Sequence, residues 1–137
     1  MCEFLKIYWG VMAIAEELKN NGYLVGIISN HSKFWFEHFF NRFHMEDIFN
    51  ISSLVIPSYK VALDKPNIEI YKTTFERIQN VDSQINPNNV LFIDDKDRNL
   101  ITAKGILQNR LISSNFRVWI SDYTVSVFCT IFTLVAK

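Results

Sequence analysis

The chain has 137 residues, 49% of them hydrophobic and 20% charged, with fourteen basic side chains against fourteen acidic ones. That length holds one domain with a real core and not two, and the balanced charge, with no long run of either sign, leaves no electrostatic footprint for a nucleic-acid partner. The two cysteines, Cys2 and Cys129, lie near opposite ends and form no metal-type or redox pair in sequence, which fits a reducing, cytoplasmic setting.

The stretch from Ile7 to Ala15 is apolar and closes on Ala13-Ile14-Ala15, in the manner of a signal-peptide cleavage site. Glu3 and Lys6 leave the preceding region without net positive charge, and Val11, Ile14 and Leu18 carry the same stretch on at helical spacing, so it reads as a helix. Gly22 stands where a helix C-cap would. "YLVGII", residues 23–28, is short, apolar and β-branched, as expected of a strand buried on both faces. It ends in Ser29-Asn30. Ser32 is placed to cap a second helix running to about Phe43. In that helix Phe34, Trp35, Phe36, Phe39, Phe40 and Phe43 make more than one face apolar; one face is core, and the remainder is expected to be a surface for a partner or cap, or an exposed patch left by truncation. His38 and His44 lack the spacing of paired metal ligands, and His31 reads as a surface residue.

"SLVI", residues 53–56, makes the next strand, and Pro66 suits the first turn of a third helix whose apolar face is Ile68, Tyr71, Phe75 and Ile78. "NNVLFI", residues 88–93, is another strand, followed by Asp94-Asp95 and a helix from about Asp97 to Leu107. Phe116 to Ile120 is a candidate further strand. The run from Val125 to Ala136 is shorter than the roughly 18 residues a membrane span needs, and extending it back to Val118 brings in Asp122; it reads as a core strand or tail in preference to an anchor. Strands and helices in alternation, with continuously apolar strands, predict an α/β fold: a parallel, Rossmann-like sheet flanked by helices, in a single domain spanning residues 1–137.

In such sheets functional groups gather just past the C-terminal ends of the strands. Ser29-Asn30 and Asp94-Asp95 fall there, and "SYKVALDKPNIEIY", residues 58–71, sets Lys65 before Pro66 at a predicted helix start. A lysine at the positive end of a helix dipole is unfavourable without an anion nearby. Two adjacent carboxylates repel unless a cation or donors compensate them. A hydroxyl and an amide donating to phosphate oxygens, a lysine offsetting their charge, and carboxylates holding Mg²⁺ form one consistent site. Taken singly, each feature is explained by a turn, a solvated loop or a helix cap; the combination in order points to family membership, though not to activity.

At these residues the chain resembles the haloacid dehalogenase (HAD) superfamily, most of whose members are Mg²⁺-dependent phosphatases. "LVGIISN" is similar to its second motif, an apolar strand ending in Ser or Thr followed by Asn. In "SYKVALDKPNIEIY" the residues Ser58, Val61, Lys65, Pro66, Ile70 and Tyr71 match the family stretch, while Ala62, Asn67 and Ile68 depart. "LFIDDKDRNLITA" resembles the fourth motif, with Asn99 and Ala103 at expected helix positions. The resemblance runs from about Val11 to Ala103 and leaves residues 104–137 unassigned. It implies Lys65 as the catalytic lysine, Ser29 and Asn30 as phosphate-binding residues, Asp94 and Asp95 as metal ligands with Asp95 the more direct, Mg²⁺ as cofactor and a small phosphorylated substrate.

The family nucleophile, the first Asp of an Asp-x-Asp-Gly-Thr type motif, has no counterpart in this chain, and neither does the usual cap between the first and second motifs. The resemblance therefore implies an incomplete core. Its first-motif strand would lie between the strands ending at Ile28 and Ile93, and "EFLKIY", the run from Val125 to Val135, or a partner chain is expected to fill that place. Three readings follow: a HAD-type hydrolase inactive as this chain alone, a non-catalytic anion- or metal-binding module, and a membrane-tethered interaction module. Asp64 is the one acidic residue near the site not committed to the cation.

Overall fold

The computed structural model describes residues 9–94, 96–107, 111–112 and 131–135. The first helix, α1 (Trp9–Asn20), stops where the sequence predicts. Gly22 takes a left-handed φ of 81° that a side chain disfavours. That turn lets Tyr23 N–H donate to Leu18 O at 3.0 Å and Gly22 N–H to Lys19 O at 2.9 Å, satisfying the last carbonyls of α1. The chain then enters β1 (Leu24–Ser29), buried over five of its six residues.

Helix α2 (Lys33–Arg42) follows from Ser32, whose carbonyl accepts from Phe36 N–H at 3.0 Å while its side chain makes no cap bond. Phe36 is buried and stacks on Phe40. Trp35, Phe39 and Phe43 stack along another side of the helix, and Phe34 is 70% exposed. This is the second apolar face expected from the sequence. The strand expected at 53–56 is a 3₁₀ turn over Ser52–Leu54 leading into β2 (Val55–Pro57). One helical turn, α3 (Ser58–Val61), comes next.

The third long helix, α4 (Ile68–Val81), begins later than Pro66 suggests. Asn67 is its N-cap, the Asn67 side chain accepting from Glu69 N–H at 3.0 Å, so the Lys65–Pro66 pair, joined by a cis peptide bond, precedes the helix. A short amide cap does this better than a residue with no side-chain acceptor. After a 3₁₀ turn at Pro87–Asn89 come β3 (Val90–Ile93), α5 (Asp97–Leu107), β4 (Leu111–Ile112) and β5 (Ile131–Val135).

The sheet order is β2-β1-β5-β3-β4. β1 pairs parallel with β2 and β3 with β4, while β5 runs antiparallel to both β1 and β3. The expected parallel arrangement therefore holds for β1 to β4, and β5 is the reversed exception. It takes the place between the strands ending at Ile28 and Ile93 that the sequence leaves to be filled. "EFLKIY", Cys2, Cys129 and the candidate strand Phe116–Ile120 lie outside the described residues.

Alternation along the strands sends side chains to two cores. Ile28, Ile56, Val90 and Phe92 pack with Ile70, Tyr71, Ile78, Leu100 and Ala103 of α4 and α5. Val25, Ile27 and Val55 pack with Met12 and Ala15 of α1, Phe36 of α2 and Phe49. Helices on both faces explain why the strands read as continuous apolar runs. Gly26 is required by a close approach: a Cβ there would meet Leu54 O at 2.9 Å. Among the described residues no helix is long and apolar enough to cross a membrane, and five residues of the C-terminal apolar run are sheet strand.

Candidate functional site

β1 and β3 both run toward the same edge of the sheet, and the expected site residues collect there. Ser29 is the last residue of β1 and is buried. Asn30, the next residue, turns its amide onto the main chain of Lys65: Asn30 Nδ2 donates to Lys65 O at 2.8 Å, and Lys65 N–H donates to Asn30 Oδ1 at 2.8 Å. Two bonds in opposite senses fix both the position and the orientation of the loop before α4. The sequence reading gives Asn30 to phosphate; in the structure its side chain holds Lys65.

Lys65 is 3% exposed. Its Nζ donates to Ile28 O at 3.1 Å and reaches Asp94 Oδ2 at 3.4 Å, with both side chains fully out of solvent. The same edge holds Ile131 opposite Ile28 and Phe132 opposite Ile93, so the lysine spans from the end of β1 to the end of β3 past the start of β5. A buried ammonium is tolerable only with an opposite charge and hydrogen-bond acceptors at hand, and these two groups supply both.

Asp94 follows β3 directly and is 2% exposed. Its Oδ2 also accepts from Asn99 Nδ2 at 2.6 Å, and its Oδ1 accepts from Lys96 N–H at 2.8 Å. The carboxylate thus caps the turn into α5 while neutralising Lys65. Asn99 is buried, and its Oδ1 has no hydrogen-bond partner among the described residues. The sequence reading names Asn99 only as a residue at an expected helix position of the fourth motif; its bond to Asp94 is what the structure adds.

Ser58 joins the loops after β1 and β2: its Oγ accepts from His31 N–H at 3.2 Å and donates to His31 O at 3.3 Å. Asp64, beside Lys65 in sequence, is exposed to solvent. His38 stacks on Phe34, and His44 lies 3.6 Å from Glu46 on the surface. Among the described residues there is no group of three or more His, Cys, Asp or Glu side chains placed to hold a metal ion.

Mg²⁺ requires close to six oxygen ligands. At this edge the described residues offer one carboxylate, Asp94, whose two oxygens both accept from protein donors. Asp95 lies outside the described residues. Those described do not by themselves fit the ion, and no chemical step is assigned to it.

The arrangement is a neutral, hydrogen-bonded knot of Asn30, Lys65, Asp94 and Asn99 at the edge of the α/β sheet where β1 ends in the buried Ser29. A family model described as haloacid dehalogenase-like hydrolase matches residues 2–109. No curated protein and no solved structure matches the chain. The match covers well over half of the 137 residues and contains Ser29, Asn30, Lys65, Asp94 and Asp95. The chain belongs to the haloacid dehalogenase-like hydrolases.

Proposed function

We propose that this chain is a HAD-type hydrolase core of phosphatase ancestry that lacks its covalent nucleophile and is catalytically silent on its own. The observation that carries the reading is the identity of β5. The strand between the ends of β1 and β3 is Ile-Phe-Thr-Leu-Val, without a carboxylate, and it runs opposite to its neighbours. Phosphoryl transfer by this family's route needs a carboxylate oxygen to attack phosphorus and form an aspartyl-phosphate. Ser29 and Lys65 bind and orient a phosphoryl group in this reading, and Mg²⁺ is the cation that Asp95 would help hold. The substrate class in this reading is a small phosphorylated molecule, and the two widely separated cysteines support a reducing cytoplasmic setting.

Asp64, the acidic residue next to the site, is exposed while Lys65 is buried, which supports its exclusion as a substitute nucleophile. The test is hydrolysis of a generic aryl phosphate with Mg²⁺. The expected result is no turnover above a Lys65→Ala control. Robust Mg²⁺-dependent hydrolysis that disappears in Asp64→Asn would overturn the reading.

A second reading, a non-catalytic binding or interaction module, is favoured by the neutralisation of Lys65. An ammonium already paired with Asp94 has little charge left to attract an anion. Calorimetry with inorganic phosphate separates the two: binding lost in Lys65→Ala supports a retained phosphoryl site, and no binding supports the module.

A further inference from the structure

The turn from α1 into β1 contains the only Asn-Gly pair in the sequence, Asn21-Gly22. Both residues are exposed, just past the end of α1. We propose that Asn21 is a site of spontaneous covalent modification, at which the Gly22 backbone nitrogen displaces the side-chain amide and converts Asn21 to aspartate or isoaspartate.

In this reaction the Gly22 nitrogen bonds to Asn21 Cγ, and the C–N bond of the side-chain amide breaks. The Gly22 proton leaves with that nitrogen as ammonia, and a cyclic imide remains. Water then adds to one of the two imide carbonyls. Opening at the side-chain carbonyl gives an ordinary Asp-Gly peptide; opening at the main-chain carbonyl gives isoaspartate, with the chain routed through the side chain. Water is the one co-reactant, and nothing is oxidised or reduced.

The fold favours Asn21 over its neighbours. Gly22 takes a φ of 81°, which glycine adopts without a steric cost, so the demand for a left-handed cap also sets the least hindered nitrogen after an asparagine. Two bonds restrain the reacting groups: Gly22 N–H donates to Lys19 O at 2.9 Å, and Asn21 Nδ2 donates to Glu17 O at 2.8 Å. Both belong to the exposed last turn of α1, and helix ends open more readily than cores. One opening of that turn frees nucleophile and amide together.

Asn30 differs on every count. Its amide is bonded twice to the main chain of Lys65, the next residue carries a side chain, and His31 N–H is held by Ser58 Oγ at 3.2 Å. Asn20 is followed by Asn21, whose N–H donates to both Glu17 O and Leu18 O. Conversion of Asn21 sets a carboxylate at the negative end of the α1 dipole, and isoaspartate lengthens the main chain at the turn that delivers β1. The inference is independent of the chemistry assigned to the site.

The test incubates the full chain in warm, mildly alkaline buffer and digests it with trypsin. Cleavage after Lys19 and Lys33 leaves Asn20, Asn21 and Asn30 in one peptide, whose fragment masses report each position. The expected result is conversion that accumulates at Asn21 and not at Asn20 or Asn30, with a more acidic form of the intact chain growing in step on anion exchange. Gly22→Asn retains a residue type that caps helices in the left-handed conformation and adds a Cβ beside the nucleophile; conversion at Asn21 should be lost over the same interval. Glu16→Gly, at an exposed position of α1, weakens the helix without touching the turn and should speed conversion severalfold. Conversion at Asn21 no greater than at Asn20 and Asn30, or undiminished in Gly22→Asn, overturns the proposal, and an unchanged rate in Glu16→Gly overturns the opening of α1 as its route. Should Gly22→Asn not fold, Asn21→Gln keeps the glycine turn and lengthens the side chain. An acidic form that still accumulates at the wild-type rate in that variant overturns the proposal, and its loss supports it.

Discussion

Removing residues 131–137 should unfold the domain. β5 is registered with five residues of β1 and four of β3. At roughly 1 kcal/mol net per ladder bond, the two ladders amount to about 9 kcal/mol before any side-chain burial is counted. A domain of this size is stable by only ~5–15 kcal/mol, and the groups left behind are flanked by helices on both faces, where water cannot replace the lost partners. A milder form of the same perturbation is Thr133→Pro. Thr133 sits between Gly26 and Phe92 in the middle of both ladders, and proline there removes a ladder donor and leaves its acceptor unpaired inside the sheet, costing about 1–3 kcal/mol. Thr133→Ala is the control. Urea unfolding followed by far-UV circular dichroism should show the full chain and Thr133→Ala unfolding cooperatively, Thr133→Pro at a clearly lower midpoint, and the truncated chain with no cooperative transition. A truncated chain that unfolds near the full-length midpoint would refute the central role given to β5.

The buried pair makes a second prediction. Lys65→Met leaves the Asp94 carboxylate buried without its counter-charge and should cost about 3–5 kcal/mol in denaturant unfolding. Adding Asp94→Asn, which still accepts from Lys96 N–H, should recover on the order of 1–3 kcal/mol of that loss; strictly additive costs would contradict the pairing. Gly26→Ala should destabilise by about 1–3 kcal/mol, because the Leu54 carbonyl must move to admit a Cβ; unchanged stability would place that backbone elsewhere. Burial, then its bond to Glu37, raises the Tyr59 phenol above its ordinary value of 10.0. The neutral phenol is favoured in the folded state, so this contribution to stability is present below the ordinary value and fades as pH rises through the raised one. The phenolate absorbance lost in Tyr59→Phe should therefore develop above pH 10, and in Glu37→Gln it should develop at lower pH than in the wild type.

Helices and parallel strands were legible where each carries its own signal: α1 in the spacing of Val11, Ile14 and Leu18 and the cap position of Gly22, β1 and β3 in unbroken apolar runs, α4 in the spacing of Ile68, Tyr71, Phe75 and Ile78. The start of α4 was misjudged because Pro66 and Asn67 both suit a helix entrance, and only the bond from Glu69 N–H shows which one caps it. The gathering of Ser29, Asn30, Lys65 and Asp94 at one edge followed from strand order alone. The partners of Asn30 and Asp94 did not, since they are set by a loop 35 residues from Asn30 and by a helix amide five residues past Asp94. The direction of β5 was illegible for a related reason. A short apolar strand pairs in either sense, and the choice depends on the edge from which its connection arrives.

The most direct measurement of the account is a set of cross-strand nuclear Overhauser contacts in the isotopically labelled full chain. An antiparallel β5 between β1 and β3 places Thr133 opposite Gly26 on one side and Phe92 on the other. Backbone contacts from Thr133 to both residues, with slow amide exchange through Ile131–Val135, are the predicted result. Contacts to one strand only, or rapidly exchanging amides from Ile131 to Val135, would contradict a site whose central strand is this carboxylate-free segment.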